Sequence, residues 1–171
     1  MDISTTYMGI KLKNPIIIGA SNLVSESDNL NLFEEAGASA IVYKSLFEEQ
    51  IQLENLEMDE NLNEYTERHA EMIDLFPDVK HAGPKEHLLK LKKAKEAVDI
   101  PVIANLNAVY EETWVDYAKK IEETGVDGLE LNFYATPTDL KVEGKNIEDL
   151  QVAILKKIKS FYRQYSGFSN K

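Results

Sequence analysis

The sequence contains 171 residues, 43% of them hydrophobic and 29% charged, so it can bury the core of one globular domain and is not typical of a disordered chain. Its formal charge of −11 would repel phosphate backbones and anionic lipids, so we expect no nucleic-acid partner and no membrane partner. The sequence has no cysteine, which excludes disulfides, thiolate metal sites and cysteine nucleophiles within it.

Four short apolar runs are the predicted strands. The first three are almost continuously apolar, which is typical of parallel strands buried on both faces. The fourth is interrupted by Glu130, which alternation places on the opposite side from its neighbours. The four runs are Pro15–Gly19, Ala40–Tyr43, Pro101–Ala104 and Gly128–Leu131.

A helix is predicted between the first two strands and another between the last two. The first covers residues 27–36, with Ser25 or Ser27 as its cap and Gly37 as its left-handed end. The second covers residues 111–124 and ends at Gly125. Its predicted inner stripe is Trp114, Tyr117, Ala118 and Ile121. Each strand–helix–strand unit is expected to have a right-handed crossover.

Residues 48–83 form a predicted helical insert within a single domain of residues 1–171. Its apolar stripe has helical spacing and an acidic opposite face (Leu62, Tyr65, His69, Met72 and Phe76). We interpret it as a helix that covers one side of the sheet, with a lid or a dimer contact as the alternative. After the break at Gly83-Pro84, a stripe of Leu88, Leu91, Ala94 and Val98 predicts another helix. A last helix, residues 146–162, presents Ile147, Leu150, Ile154 and Ile158 on one face.

The two strand–helix units resemble each other, since PIIIGASN matches PVIANLN and EEAGASAIVYK matches EETGVDGLELN. Repeated units of this kind predict a partial TIM (β/α)8 barrel, an α/β fold with about four parallel strands, helices and an N-terminal β segment. The alternative is that any two βαβ units share apolar starts and glycine stops. No signal peptide or membrane helix is visible in the sequence, so a cytoplasmic protein is expected.

Polar residues follow every predicted strand, and barrel active sites lie at these carboxyl ends. They are Ser21 and Asn22, Lys44 and Ser45, Asn105 and Asn107, and Asn132. Lys44 is the most informative, because a cation there could bind an anionic substrate or stabilise negative charge on a reduced cofactor. The three histidines lack metal-ligand spacing, so no metal site is predicted, and no dinucleotide or P-loop motif occurs.

Four segments together resemble the N-terminal half of the dihydroorotate dehydrogenase family, namely NPIIIGASN, EEAGASAIVYKS, IPVIANLN and GVDGLELN. The family consists of FMN-dependent barrel oxidoreductases of pyrimidine metabolism, related to the flavin domain of dihydropyrimidine dehydrogenase. The resemblance implies FMN as cofactor and a small-molecule substrate, dihydroorotate or a related dihydropyrimidine, that passes a hydride to the flavin. It implies flavin contacts at Ala20, Ser21, Lys44, Asn107 and Asn132, with Lys44 also near the substrate.

The sequence departs from the family pattern in three ways. A base cysteine is replaced by the segment NFYATPTD, in which Thr136 is the candidate base beside Lys44 as the other candidate catalytic residue. The family's substrate loop is not recognisable in residues 48–83. The second half of the barrel has no counterpart, so we expect either a truncated chain or a homodimer of halves. A non-catalytic, self-associating half-barrel and an aldolase with Lys44 as Schiff-base lysine remain alternatives.

Overall fold

The computed structural model of the chain describes residues 1–53, 83–134 and 141–165. The strands are β1 (Thr5–Tyr7), β2 (Ile10–Leu12), β3 (Ile17–Ile18), β4 (Ala40–Val42), β5 (Leu46–Phe47), β6 (Val102–Asn107) and β7 (Gly128–Leu131). The helices include α1 (Ser27–Glu35), α2 (Pro84–Ala97), α3 (Glu111–Glu122) and α4 (Gly144–Tyr165), with a 3-10 helix at Asn22–Ser25. Within the described ranges no helix has the length and apolar character needed to cross a membrane.

The main sheet is parallel, and its strand order follows the chain. β3 pairs with β4, β4 and β5 pair with one edge of β6, and β7 pairs with the other edge of β6. A doubly wound sheet reverses its order part-way, whereas a β/α barrel adds each strand beside the last. The expected fold class is therefore confirmed, as a four-stranded part of a barrel with an N-terminal β hairpin of β1 and β2.

A β-bulge interrupts the second strand of this order. Val42 pairs with Ile103, but Leu46 pairs with Leu106, so three residues of one strand (43–45) oppose two of the other. A bulge bends its strand and re-aims the side chains that it carries. The predicted strand at 40–43 therefore continues past the bulge into β5.

The core lies between the sheet and the helices. The four residues of the predicted stripe on α3 are all buried, which confirms that face. Gly37 and Gly125 follow α1 and α3 with φ of 99° and 80°, the left-handed conformation that glycine adopts without steric cost. Leu91 and Ala94, two residues of the predicted stripe on α2, are buried. The helix begins at Pro84, within the predicted break at Gly83-Pro84.

Two local predictions were wrong. The residue that caps α1 is Glu26 and it makes no side-chain cap bond, because Ser25 is already the last residue of the preceding 3-10 helix. On α4, Ile154 and Ile158 are buried as predicted, but Leu150 is 56% exposed. The neighbouring helix α3 contacts the second half of α4, where Lys157 hydrogen-bonds Glu111. The first half of α4, which contains Leu150, therefore has less surface to pack against.

The N-terminal hairpin covers part of the sheet face that points away from the helices. Met8 lies in the hairpin turn with φ of 53°, and its methyl group would be 3.1 Å from a Cβ atom at Gly128. Ala40, Val42 and Ile103 are buried on this face. The apolar part of the inner face is therefore buried in the part of the chain that the structure describes.

Candidate functional site

The two faces of the main sheet differ in polarity. The core beneath the helices contains every second residue of β6, namely Val102, Ala104 and Leu106. Asn105 and Asn107 therefore lie on the opposite, inner face. Glu130 takes the same face of β7, because Leu129 and Leu131 pack against the core. The inner face becomes polar toward the carboxyl ends of the strands, where barrel enzymes bind their ligands.

Asn105, which is buried, and Glu130, which is half-buried, form a polar pair across β6 and β7. The two residues are directly in register, and the Asn105 side-chain amide donates a hydrogen bond to Glu130 Oε1. Asn105 is 3% exposed, yet its Oδ1 atom has no hydrogen-bond partner among the described residues. An unpaired buried acceptor costs about 1–3 kcal/mol, so this oxygen lowers the stability of the fold locally. In the sequence, Glu130 stands out only as an interruption of an apolar run.

Lys44 lies within the bulge and is half-buried. Its ammonium has no hydrogen bond or ion pair with a residue in the described ranges. Ile18 is in register with Ile41, and Ser21 and Lys44 follow these two residues toward the same end of the sheet. Ala20 and Ser21 are both exposed directly after β3.

Asn107 and Asn132 lie at the same end of adjacent strands. Asn107 is the last residue of β6 and is half-buried, whereas Asn132 follows β7 and is exposed. The Asn132 backbone N–H donates to the Leu106 carbonyl at 2.9 Å, which fixes its position beside β6. We call Ser21, Lys44, Asn107 and Asn132 the mouth. Thr136, the candidate base, lies outside the described residues, as does the predicted stripe of the insert.

No protein-family model matches the chain. The chain is 32% identical over 132 residues to the catalytic subunit of dihydroorotate dehydrogenase B (NAD(+)) from Thermoplasma volcanium, a match that covers 77% of this chain and 41% of that protein. It is 28% identical over 152 residues to chloroplastic dihydropyrimidine dehydrogenase (NADP(+)) from Arabidopsis thaliana, covering 77% of this chain and 33% of that protein. The predicted resemblance is confirmed. The chain spans less than half the length of these dehydrogenase relatives.

Behind Lys44, on the helix side, lies a buried aromatic pair that sequence reasoning missed. His87 of α2 is 8% exposed and contacts the Tyr43 ring edge-on, with ring centroids 5.6 Å apart. Burial, and secondly the nearby Lys44 and Lys90 ammonium groups, lower the pKa of His87 to about 4. Burial, and secondly the Glu26 carboxylate, raise the pKa of Tyr43. Neither group therefore carries charge near neutral pH, and Lys44 is the cation at this position.

Glu48 connects the segment that follows β5 to the segment that follows β6. It is 4% exposed and accepts three hydrogen bonds. The donors are the Val109 backbone N–H at 3.0 Å, the Thr113 hydroxyl at 3.1 Å and the Gln52 side-chain amide at 2.6 Å. Glu48 thereby fixes the segment that follows Asn107 to the segment that follows the bulge. Nothing in the sequence indicated this role, because a glutamate in an acidic segment is typical of a solvated surface.

A cavity of about 580 Å³ lies on the helix side of β7, away from the inner face. Val126, Leu129, Leu131, Phe133, Leu155 and Ile158 form its apolar wall, and Glu122, Asp127 and Lys159 add charge. We call it the β7 cavity. It contains none of the four mouth residues, so its walls do not match the polar ligand site predicted from the strand ends.

Proposed function

We propose that the mouth binds FMN and that this chain carries one side of the active site of a dihydroorotate dehydrogenase-like oxidoreductase. The single observation that supports this most strongly is the convergence of Lys44, Asn107 and Asn132 on one end of adjacent parallel strands. The proposed reaction is the oxidation of a CH–CH bond in a dihydropyrimidine, and the similarity to a dihydroorotate dehydrogenase and a dihydropyrimidine dehydrogenase supports an oxidoreductase of this kind.

The residues at the mouth suit the groups of a flavin ring. The isoalloxazine edge carries carbonyl acceptors and one N–H donor, and the mouth supplies an ammonium and two side-chain amides. FMN, when bound, supplies the acceptor for the hydride that leaves the dihydropyrimidine ring.

The chain's own side chains have two proposed roles in this reaction. Lys44 would hold negative charge, on the reduced cofactor or on a substrate carboxylate, within a protein whose overall charge of −11 repels anions. Thr136 would accept the substrate proton in place of the family's cysteine and release its own hydroxyl proton to solvent. Ala20 and Ser21, exposed after β3, would contact the flavin. The proposed substrate is a small molecule. The proposed location is the cytoplasm.

A second candidate function is a non-catalytic half-barrel that self-associates. It is favoured by the two edges of the sheet. Among the described residues, β3 pairs with β4 alone and β7 pairs with β6 alone. The aldolase interpretation of Lys44 has no comparable support, because the relatives are dehydrogenases.

FMN titration of the purified chain, followed by quenching of flavin fluorescence, tests the proposal. The wild type should bind FMN, and Lys44→Met should weaken binding about tenfold to a hundredfold, since a hydrogen bond to a charged group contributes roughly 1.5–3 kcal/mol. Lys92→Met is the matched control, because Lys92 is an exposed lysine on α2. A wild-type chain that leaves flavin fluorescence unchanged, or equal losses in the two variants, would contradict the proposal.

A further inference from the structure

Phe47 lies on the inner face of the sheet, beside Asn107 of the mouth. Leu46 is fully buried in the core beneath the helices, so the next residue along β5 takes the opposite face. The Cα atom of Phe47 is directly in register with that of Asn107, the last residue of β6. Phe47 is itself the last residue of β5, three positions after Lys44. An aromatic ring therefore stands at the same strand ends as the polar residues of the mouth.

The ring of Phe47 is not used to build the core. Phe33 and Phe133, the other phenylalanines whose side chains the structure describes, are partly buried against the core cluster, whereas Phe47 is 38% exposed on the inner face. β4 and β5 occupy the second of the four strand positions, so Phe47 is not at an outer edge of the sheet. Sites for small ligands are lined mainly by apolar and aromatic side chains, with a few polar groups that fix orientation. The four mouth residues are three amides or hydroxyls and one ammonium, so Phe47 supplies the apolar surface that such a site needs.

Hydrogen bonds fix the backbone at Phe47. Its N–H donates to Gln50 Oε1 at 3.2 Å. The next residue, Glu48, is buried and accepts the backbone N–H of Val109 at 3.0 Å, two residues beyond Asn107. The strand ends that carry Phe47 and Asn107 are thus joined twice, by the strand pairing and by the Glu48 carboxylate. Because this backbone is already ordered, ligand binding beside Phe47 costs less conformational entropy.

The proposed reaction changes the shape of the substrate ring. A dihydropyrimidine has two tetrahedral carbons, C5 and C6, so its ring is puckered. Oxidation breaks one C–H bond at each of these carbons and forms the C5=C6 double bond, as the hydride passes to FMN and the proton to Thr136. The ring of the product is therefore flat and conjugated. A phenyl face packs more closely on a flat conjugated ring than on a puckered one, and aromatic pairs gain energy beyond the area that they bury.

We propose that Phe47 is a substrate-contacting residue that binds the pyrimidine ring in an offset stack and favours its flat, oxidised form. The assignment rests on the proposed function, since that function takes a dihydropyrimidine as substrate. Phe47 is not among the contacts that the resemblance implied. Lys44 and Asn107 would bind the charged and carbonyl groups at the ring edge, which leaves the ring face to Phe47. A contact that strengthens as the ring flattens stabilises the transition state more than the bound substrate.

Calorimetric titration of the purified chain with orotate and with dihydroorotate tests the stack, because the two ligands differ only in the oxidation of the C5–C6 bond. The flavin-free chain is used so that dihydroorotate is not oxidised during the titration. The wild type should bind orotate more tightly than dihydroorotate. Phe47→Leu keeps an apolar side chain without the ring face, so it should weaken orotate binding about twofold to tenfold and dihydroorotate binding less than about twofold. Phe47→Tyr keeps the ring and should retain the wild-type preference.

Tyr7→Leu is the matched control. Tyr7 is an aromatic residue of β1 that is 47% exposed, and the hairpin turn beside it approaches Gly128, the first residue of β7. This is the opposite end of the strands from the mouth, so the substitution should change neither affinity. A wild type that binds neither ligand, equal losses for the two ligands in Phe47→Leu, or the same loss in Phe47→Leu and Tyr7→Leu would overturn the proposal.

FMN titration of the same proteins separates this failure from failure of the proposed function. If Phe47→Leu binds both FMN and orotate as the wild type does, the proposed function stands and the role of Phe47 is wrong. A larger loss of FMN affinity than of orotate affinity would mean that Phe47 contacts the flavin, which also overturns the proposal. If the wild type binds no FMN, the proposed function is contradicted, and the orotate titrations still decide the role of Phe47.

Discussion

At the scale of single residues, His87 shows how the fold surrounds Lys44. The imidazole is buried against Tyr43, and it is held neutral by burial and by the adjacent ammonium groups. Its neutral form has no like-charge repulsion with Lys44. The sequence did not predict this contact, because periodicity places His87 near the start of a helix but does not say what that turn packs against.

The lowered pKa of His87 predicts a loss of stability in acid. The pKa is about 4 in the folded chain and 6.5 in the unfolded chain, so between these values the unfolded state binds more protons. The contribution of His87 to the free energy of unfolding is therefore fully present above pH 6.5. It falls by up to about 3 kcal/mol as the pH drops toward 4. The free energy of unfolding in urea, measured at pH 7.5 and 4.5, should fall less for His87→Phe than for the wild type. Identical pH dependence in the two proteins would show that His87 is not held neutral.

At the scale of elements, most strands and helices could be predicted because local patterns determine them. The strand at Gly128–Leu131 and the α3 helix follow from an apolar run and a 3.6-residue stripe ended by glycine. The bulge at residues 43–45 could not be predicted, since it is a register shift between strands that lie about 60 residues apart and no glycine marks it. The predicted cap of α1 was wrong for a related reason, because Ser25 belongs to the 3-10 helix that precedes α1.

The three hydrogen bonds that Glu48 accepts predict that the segment after β5 and the segment after β6 stabilise each other. Glu48→Gln replaces an acceptor-only carboxylate by an amide whose NH2 would face one of three donors, so it should destabilise the chain by about 1–3 kcal/mol. Hydrogen exchange at the Val109 amide should quicken as well, because that bond holds the loop after β6. Glu49→Gln, at an exposed neighbour, should change the free energy of unfolding by less than about 0.5 kcal/mol. Equal effects at the two positions would contradict the coupling.

At the scale of the whole molecule, sequential parallel order determines where the polar residues meet. Chain-order pairing of β3 to β7 places the four strand ends at one end of one sheet, although Ser21 and Asn132 are far apart in the sequence. The resemblance in the sequence predicted the residue positions. The resemblance did not predict the hydrogen-bonded pair of Asn105 and Glu130, because pairing between strands depends on register and not on local sequence.

The most direct test of the flavin site is an amide NMR spectrum of the chain titrated with FMN. If FMN binds at the mouth, the largest chemical-shift changes fall on the amides of Lys44, Asn107 and Asn132, with little change at Leu155 in the β7 cavity. Changes confined to the residues of the β7 cavity, with the mouth unaffected, would contradict it.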